Sequence, residues 1–364
     1  MRRFGMEEEF MFVDVSTLRP LDISADVQSR LRGRRPVNAY VHAEFLASQI
    51  ERSSPVFDTL AQAEGDLLSF RTRLSTAAAE QNALAVGAGT PFHAHSRPAI
   101  TDTVRYHRLE SEFRGLVVEH LINGLHVHVA IPDRDAGVEI LNRVRAWLPT
   151  LLAMSANSPF WDARDTGFAS WRTVHGRRWS TSGCPPSFAD AEDYDRRIRR
   201  LVGVGGTYDL HTIWWNSRLA ENHPTVEVRV CDAQLDALDT LLLTALIRAL
   251  VSTALNDVQL NVTPTLLDPE LLDAALWHAA RDGLQALLLN PVTATMEPAA
   301  SVVNALITTV SDALDESGDT VRVRDLLSRL WRVGTGAERQ RSAFRDGGVP
   351  QLAAMFRGSI VAHV

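Results

Sequence analysis

Three short stretches spread over the chain share one pattern: FGMEEEF at 4–10, GLHVHVAIP at 124–132 and PTVEVRVCD at 224–232. Side chains alternate across a β-strand, so each stretch has two faces of opposite character. In the first, Glu7 and Glu9 share one face while Met6, Glu8 and Phe10 share the other. In the second, His126 and His128 oppose Leu125, Val127 and Val129, and in the third Glu227 and Arg229 oppose Val226, Val228 and Val230. The segment HAEFLASQIERSSP at 42–55 places Glu44 and Glu51 on or beside a further strand. Stacked in one sheet, such strands pack their apolar faces on helices and line a cleft with their polar faces. Charges taken out of water are costly unless a counter-charge or a metal meets them. Carboxylates with one or two imidazoles suit Mg²⁺ or Mn²⁺. Each strand alone reads equally well as the solvent face of an ordinary antiparallel pair; four in one chain argue for a site. Glu7 and Glu9 are expected to face a cationic cleft, and Glu8 to be solvated or paired on the other side.

Composition narrows the chemistry. The 364 residues contain no Lys, so all 37 basic side chains are Arg. This excludes Schiff-base chemistry and the Walker A phosphate loop, and leaves phosphate or carboxylate recognition to Arg. A formal net charge of −7 argues against nucleic acid as a partner. The two cysteines, Cys184 and Cys231, have neither CxxC spacing nor the density of a disulfide scaffold. The N-terminus has a basic start but no apolar core segment, so no secretory signal is expected. The most apolar stretch, residues 235–260, is interrupted by Asp236, Asp239, Arg248 and Asp257. It reads as a buried core helix rather than a membrane span, and the expected location is the cytoplasm.

Alternation predicts strands near 4–13, 37–53, 84–88, 124–131, 208–215 and 224–231. Helical periodicity covers about 56–82, 102–121, 134–156, 190–202, 235–260, 268–283, 299–316, 322–332 and 349–361. The class is α+β, one sheet backed by helices, with the chain all helical after about 235. Residues 157–189 form a long stretch with little periodicity, carrying Arg164, Arg172, Arg177 and Arg178, with Phe160, Trp161, Phe168 and Trp171 as anchors. A loop of that length, so anchored, reads as ordered and functional. Other groups read more plainly. FHAH at 92–95 is a loop with solvated imidazoles, and RRIRR at 196–200 a solvated helix face. His211 with Trp214 and Trp215 could stack an adenine or simply form core. Glu44 joins a metal shell or is a strand-edge charge near His42, the two readings being about equal. From the helical C-terminal part, Arg281 and the RQR at 339–341 could reach the cleft.

Beyond these individual signals, the chain resembles the glutamate–cysteine ligase type 2 family of ATP-dependent carboxylate–amine ligases, distant relatives of glutamine synthetase. The resemblance rests on FGMEEEF, GLHVHVAIPDRD at 124–135, SPFWDARDTGFASWR at 158–172, PTVEVRVCDAQ at 224–234, WHAARDGL at 277–284 and GAERQR at 336–341. It implies a glutamine-synthetase-like fold: a curved, mostly antiparallel sheet forming a funnel backed by helices. It implies one domain over 1–364, with the catalytic sheet in about 1–234 and a helical part in about 235–364. It implies ATP with Mg²⁺ or Mn²⁺, small amino-acid substrates and a homodimer. Matched by position, Glu7, Glu9, Glu51, His126 and Glu227 would be the metal ligands. Arg229 and His128 would meet ATP, and Arg172 and Arg164 a substrate carboxylate, with Arg229 and Arg172 the catalytic pair. The implied reaction joins L-glutamate and L-cysteine to γ-glutamylcysteine through an acyl phosphate. Departures are Asn216 in WWNSR where the family has an acid, GTPF at 89–92 for GTHPF, and Ala274-Ala275 for Glu-Asn. They leave the implied metal shell intact and bear on the amine pocket. A ligase with another amine acceptor, a metal-dependent hydrolase and a non-catalytic ligand-binding relative are the competing readings.

Overall fold

The alternation in the first strand makes it the axis of the molecule. In the computed structural model, which describes residues 2–32, 40–94 and 98–361, β1 spans Phe4–Asp14 and pairs with three strands. β3 (Gln49–Ser53) lies on one side of it; β4 (Ala83–Val86) and β5 (Gly124–Ala130) pair with its two halves on the other. With β2 (Val41–Ala43), β8 (Ser217–Leu219) and β9 (Thr225–Asp232) this gives a seven-stranded sheet in the order β2-β3-β1-β5-β9-β8, β4 pairing with β1 alone. Every pairing in it is antiparallel. Two hairpins stand apart, β6 (Phe160–Trp161) with β7 (Arg164–Asp165), and β10 (Leu287–Asn290) with β11 (Thr295–Pro298).

The apolar faces end up where the alternation puts them. Met6, Leu125, Val127, Val129, Val226, Val228 and Val230 are buried in one hydrophobic cluster. They share it with the helices Leu60–Ala79, Arg134–Val144, Leu148–Ser155 and Ala237–Gln259. Each such side chain contributes roughly 1.5–3 kcal/mol relative to exposure. Ala237–Gln259 is long and apolar enough to cross a membrane by composition, with mean hydropathy 1.7, but 89% of that window is buried inside the molecule as a core helix. Asp236 caps it, accepting from the backbone of Leu238 and Asp239 at 3.0 Å each. Asp236 and Asp239 are then gripped by Arg329 and Arg339 through four contacts of 2.6–2.8 Å. The clamp ties the helices Thr320–Val333 and Gly336–Ile360 to the head of the core helix.

Glu8 points into this helical side, and its charge is met there. Arg71 donates to it at 2.5 Å, Thr240 at 3.0 Å, and Arg52 stands 4.0 Å away. Arg71 also donates to the carbonyls of Leu235 and Gln234.

Several elements differ from expectation. The strand expected over 37–53 is two strands folded on each other, β2 and β3, while 37–39 lie outside the described residues. The strand expected at 208–215 is instead a single 3₁₀ turn, Leu210–Thr212, because Asp209 accepts from the Thr212 backbone and caps it; the strand follows at β8. The part after 235 is not all helical, since β10 and β11 interrupt it. The last helix begins at Gly336, thirteen residues before the expected start, behind a Thr335–Glu338 capping box. It kinks at Gly347 and Gly348, where Gly348 has φ 61°.

Candidate active site

Register decides what the cleft face carries. Glu7 pairs with His126 across β1–β5, His128 with Glu227 across β5–β9, Arg218 with Glu227 across β8–β9, and Glu9 with Glu51 across β1–β3. Like charges directly opposite on adjacent strands destabilise a sheet, so the last pair needs a reason. Glu44, on the turn between β2 and β3, adds a third carboxylate.

The acids sort into three groups, each with ligand atoms within 4.8 Å of one another: Glu7 with Glu51 and His126, Glu7 with His128 and Glu227, and Glu9 with Glu44 and Glu51. The first two are mixed in charge. His126 Nδ1 lies 3.1 Å and His128 Nε2 3.5 Å from Glu7. Burial alone would raise the Glu7 pKa, but the His126 hydrogen bond and the closeness of both imidazoles hold it well below the carboxylate range. Glu227 is likewise buried yet held low by Arg229 and by Arg218, the latter at 2.7 Å. The third group has weaker partners, with His126 Nε2 3.7 Å from Glu9. Burial, then the charge of Glu44, pushes Glu9 up to about 8 despite the charge of Arg172 and the 2.6 Å hydrogen bond from the Gly124 backbone. Burial, then Glu7, Glu44 and Glu9, raises Glu51, and burial raises Glu44. This is an oxygen-rich set short of positive charge, as a hard divalent cation requires. His128 Nε2 is buried without a hydrogen-bond partner, while its Nδ1 is 3.0 Å from Thr225 Oγ1, fixing the ring with one nitrogen turned to the acids. The residues therefore fit divalent metal.

Around the acids lie Arg229, Arg218 and Arg172, with Arg105 also lining the cavity on the Glu44 side. Arg229 donates to Glu227 and stands 3.4 Å from His126 Nδ1. Arg218 donates to Glu227 and also to the carbonyls of His211 and Ile213 at 3.0 Å, holding the 3₁₀ turn against the cleft. Arg172 is delivered by the long loop. Ser170 caps the short helix Trp171–Gly176, and Asp232 at the end of β9 accepts from Ser170 at 2.8 Å, from Ser158 at 2.7 Å and from the Asn157 backbone at 2.9 Å. Asp232 is fully buried and stands 3.9 Å from Arg172, whose guanidinium donates to the Val230 and Arg229 carbonyls. A Cβ at Gly124 would sit 2.4 Å from Arg172 Nη2, so a larger residue there would push that guanidinium aside.

The cleft holds a cavity of about 490 Å³ bounded by Glu7, Glu9, Glu44, Glu51, His126, Arg172, Arg218 and Arg229 on one side and by aromatic rings on the other. A second cavity, about 310 Å³, shares Glu7, His211 and Arg218 with it and runs past His128, Arg134 and Tyr194. The structure thus brings together Glu7, Glu9, Glu51, His126, His128, Glu227, Arg172 and Arg229. It sets Arg164 apart: its side chain is 79% exposed in the β6–β7 hairpin, 3.6 Å from Asp162. Glu44 joins the acids rather than standing as an edge charge. Neither Arg281 nor the 339–341 segment reaches the cleft. Arg281 pairs with Asp282, Arg339 belongs to the clamp and Arg341 binds Asp165. Of the FHAH segment, His95 lies outside the described residues. Both thiols are pushed up by burial, Cys184 to about 11 and Cys231 to about 12. Sequence reasoning missed Arg218 and Asp232. Arg218 is visible only once β8 is registered on β9, and Asp232 only once the loop is seen to return to the strand end.

Residues 3–359 match the family model described as glutamate-cysteine ligase family 2. A protein of Saccharopolyspora erythraea provisionally named glutamate–cysteine ligase 2-2 is 39% identical over 353 residues, covering 96% of this chain and 90% of that one. A similarly named protein of Salinispora arenicola is 38% identical over 338 residues, 93% and 89% of the two chains. Among solved structures, the glutamate–cysteine ligase of Francisella tularensis in complex with AMP matches with TM-score 0.64 at 12% identity, over 100% of this chain and 89% of that one. A bifunctional glutathione synthetase of Pasteurella multocida matches with TM-score 0.67 at 15% identity, over 99% and 52%. At such identities these structures establish the shared fold.

Proposed function

Because the chain belongs to glutamate–cysteine ligase family 2, we propose that it is an ATP-dependent carboxylate–amine ligase, with the γ-carboxylate of L-glutamate as donor and L-cysteine as the reference acceptor. The observation that carries the reading is the Glu9–Glu51 pair with Glu44, three crowded acids that the chain leaves under-neutralised beside Glu7, the two imidazoles and Arg229. The AMP held by the Francisella relative supports a nucleotide as co-substrate.

In this mechanism Glu7, Glu9, Glu51, His126 and Glu227, joined by Glu44 and His128, would hold Mg²⁺ or Mn²⁺. Bound there, such ions neutralise nucleotide phosphates and support in-line phosphoryl transfer. ATP enters by the cavity that runs past His128, with Arg229 against its phosphates. Arg172, held by Asp232 and two carbonyls, orients the donor carboxylate. A donor oxygen takes the γ-phosphoryl group and ADP leaves. The amine nitrogen then attacks the acyl carbon, the carbon–oxygen bond to phosphate breaks, and an amide forms. Per turnover a carboxylate, an ammonium and ATP become an amide, ADP, phosphate and one proton. Arg229 stabilises charge on the transferring group, a role whose loss typically costs about 10²–10³ in rate. No thiol or amine nucleophile of the chain is required, in keeping with a half-buried Cys184, a buried Cys231 and the absence of Lys.

The test is ADP release with Mg²⁺-ATP, L-glutamate and an amine, each omitted in turn. The expected result is release that needs all of them. A metal-dependent activity indifferent to ATP would replace the ligase with the hydrolase reading, and no turnover with any pair would favour a ligand-binding relative.

A further inference from the structure

Besides its acids and arginines, the main cavity is lined largely by rings. Phe45, Tyr106, Phe113, His120, Trp179 and Trp214 line it. Trp179 and Trp214 lie parallel, 4° apart in plane with centroids at 5.3 Å, and His120 stands edge-on to both at 4.8 and 5.2 Å. Phe45 packs on His120 and Tyr106, and Phe113 on Trp179. The polar atoms of this wall are largely occupied by the protein. The Trp179 indole N–H donates to His120 Nδ1 at 3.2 Å, and the Tyr106 hydroxyl donates to the Ala43 carbonyl at 3.1 Å. Burial, and then the charge of Arg178, brings the His120 pKa down to about 3, so its ring is neutral at ordinary pH. Beside Arg105, Leu109, His211 and Thr212, which also line the cavity, this wall offers it ring faces and edges.

The wall starts one residue from the metal-fitting acids, because Phe45 follows Glu44. Thr101 fixes that junction, accepting no freedom from it: its backbone donates to the Phe45 carbonyl at 3.0 Å and its hydroxyl to the Glu44 carbonyl at 2.5 Å. A group seated on the rings therefore lies next to where the acyl phosphate would form. The second cavity, lined by His128, Arg134 and Glu221, offers the nucleotide a separate place.

Resting on the ligase reading, we propose that the aromatic wall is the acceptor pocket and that it selects amines carrying a large apolar or aromatic group over cysteine. A thiomethyl-sized side chain covers little of this wall, whereas a phenyl group can lie against the half-buried Trp214 and His120, which Trp179 backs from the buried side. Aromatic pairs contribute about 0.5–1.5 kcal/mol beyond their buried area, and apolar pockets discriminate by about 10–200-fold for small changes in size.

The experiment compares L-cysteine, ammonia, methylamine, L-phenylalanine and 2-phenylethylamine as acceptors in the ADP-release assay, for the wild type, Trp179→Ala and the bulk-retaining Trp179→Leu. The expected result is a kcat/KM for an aromatic acceptor at least about tenfold above cysteine. Both variants then raise the KM for that acceptor more than the KM for ATP. Cysteine or the small amines performing as well as the aromatic ones overturns the inference and leaves the ligase standing. So does a rise confined to the KM for ATP, which would give the wall to the nucleotide. If no acceptor supports ADP release, the ligase reading falls, and saturation-transfer NMR with 2-phenylethylamine decides the pocket. Binding that Trp179→Ala abolishes sustains the inference as to what the wall holds, and absence of binding ends it.

Discussion

Glu8 and its neighbours Glu7 and Glu9 are the same residue type in one strand, yet the two faces of β1 treat them in opposite ways. Behind the sheet, Glu8 meets Arg71, Arg52 and Thr240, and Arg71 also donates to two carbonyls and to Thr240. In front, Glu9 faces Glu51 and Glu44, with backbone N–H groups as its nearest strong donors to that cluster. A buried carboxylate that the chain neutralises is part of the structure. A group of carboxylates that the chain leaves under-neutralised asks for a cation from outside. Substitutions on the two faces should therefore fail in different ways.

The largest effect is expected in front. Glu7→Gln and Glu9→Gln should each lower metal-dependent ADP release by at least about 10²–10³-fold, with circular dichroism and the metal-free melting temperature of Glu9→Gln unchanged or raised. Turnover near wild type in both would refute the assignment of this face. Behind the sheet, Arg71→Leu should lose about 3–5 kcal/mol in urea unfolding, because it strands a buried carboxylate. Adding Glu8→Leu should restore much of that stability, and the fraction that stays folded should keep its turnover. A restored double variant without activity would mean that the two faces are coupled.

The comparison sharpens with pH. Glu9 in the folded, metal-free protein has its pKa raised from the ordinary 4.5 to about 8. Its contribution to stability is complete below about pH 4.5 and is lost as pH rises through about 8, with a slope of at most about 1.4 kcal/mol per pH unit per proton. Metal binds the deprotonated acids. The rise in melting temperature on adding Mg²⁺ should thus be larger at pH 8 than at pH 6, and Glu9→Gln should flatten the difference. An Mg²⁺ effect independent of pH in the wild type would contradict it.

How much of this was legible in the sequence follows from the range of each interaction. The two faces of β1, β5 and β9 follow from alternation, a local property, and the core helix 237–259 from its apolar run. What alternation cannot supply is the partner across the sheet or loop. That Glu9 opposes Glu51, that Arg218 reaches Glu227 and that Asp232 holds the 157–172 loop are facts of register and return path. Glu44 stayed undecided for the same reason, since a turn residue has no face until its hairpin is folded. The expected strand at 208–215 failed because a capping pair, Asp209 and Thr212, overrode an alternating pattern.

The smallest effects separate two arginines that the sequence placed together in one loop. Arg172 is buried, anchored by two carbonyls and by Asp232, and its removal takes one cation from the donor carboxylate. Arg172→Ala should raise the KM for glutamate more than that for ATP, by roughly 10–100-fold if it loses a charged hydrogen bond of about 1.5–3 kcal/mol. Asp232→Asn should shift it in the same direction by less, since Asn keeps one acceptor oxygen for one serine and can donate its amide N–H to the other. Arg164 stands mostly in solvent with Asp162 as its partner, and exposed pairs of this kind contribute about 0–1 kcal/mol. Arg164→Ala should leave both KM values within about twofold and the melting temperature nearly unchanged. A large rise in the KM for glutamate in Arg164→Ala would mean that the β6–β7 hairpin moves onto the cleft during turnover, and that the loop supplies two arginines to the substrate instead of one.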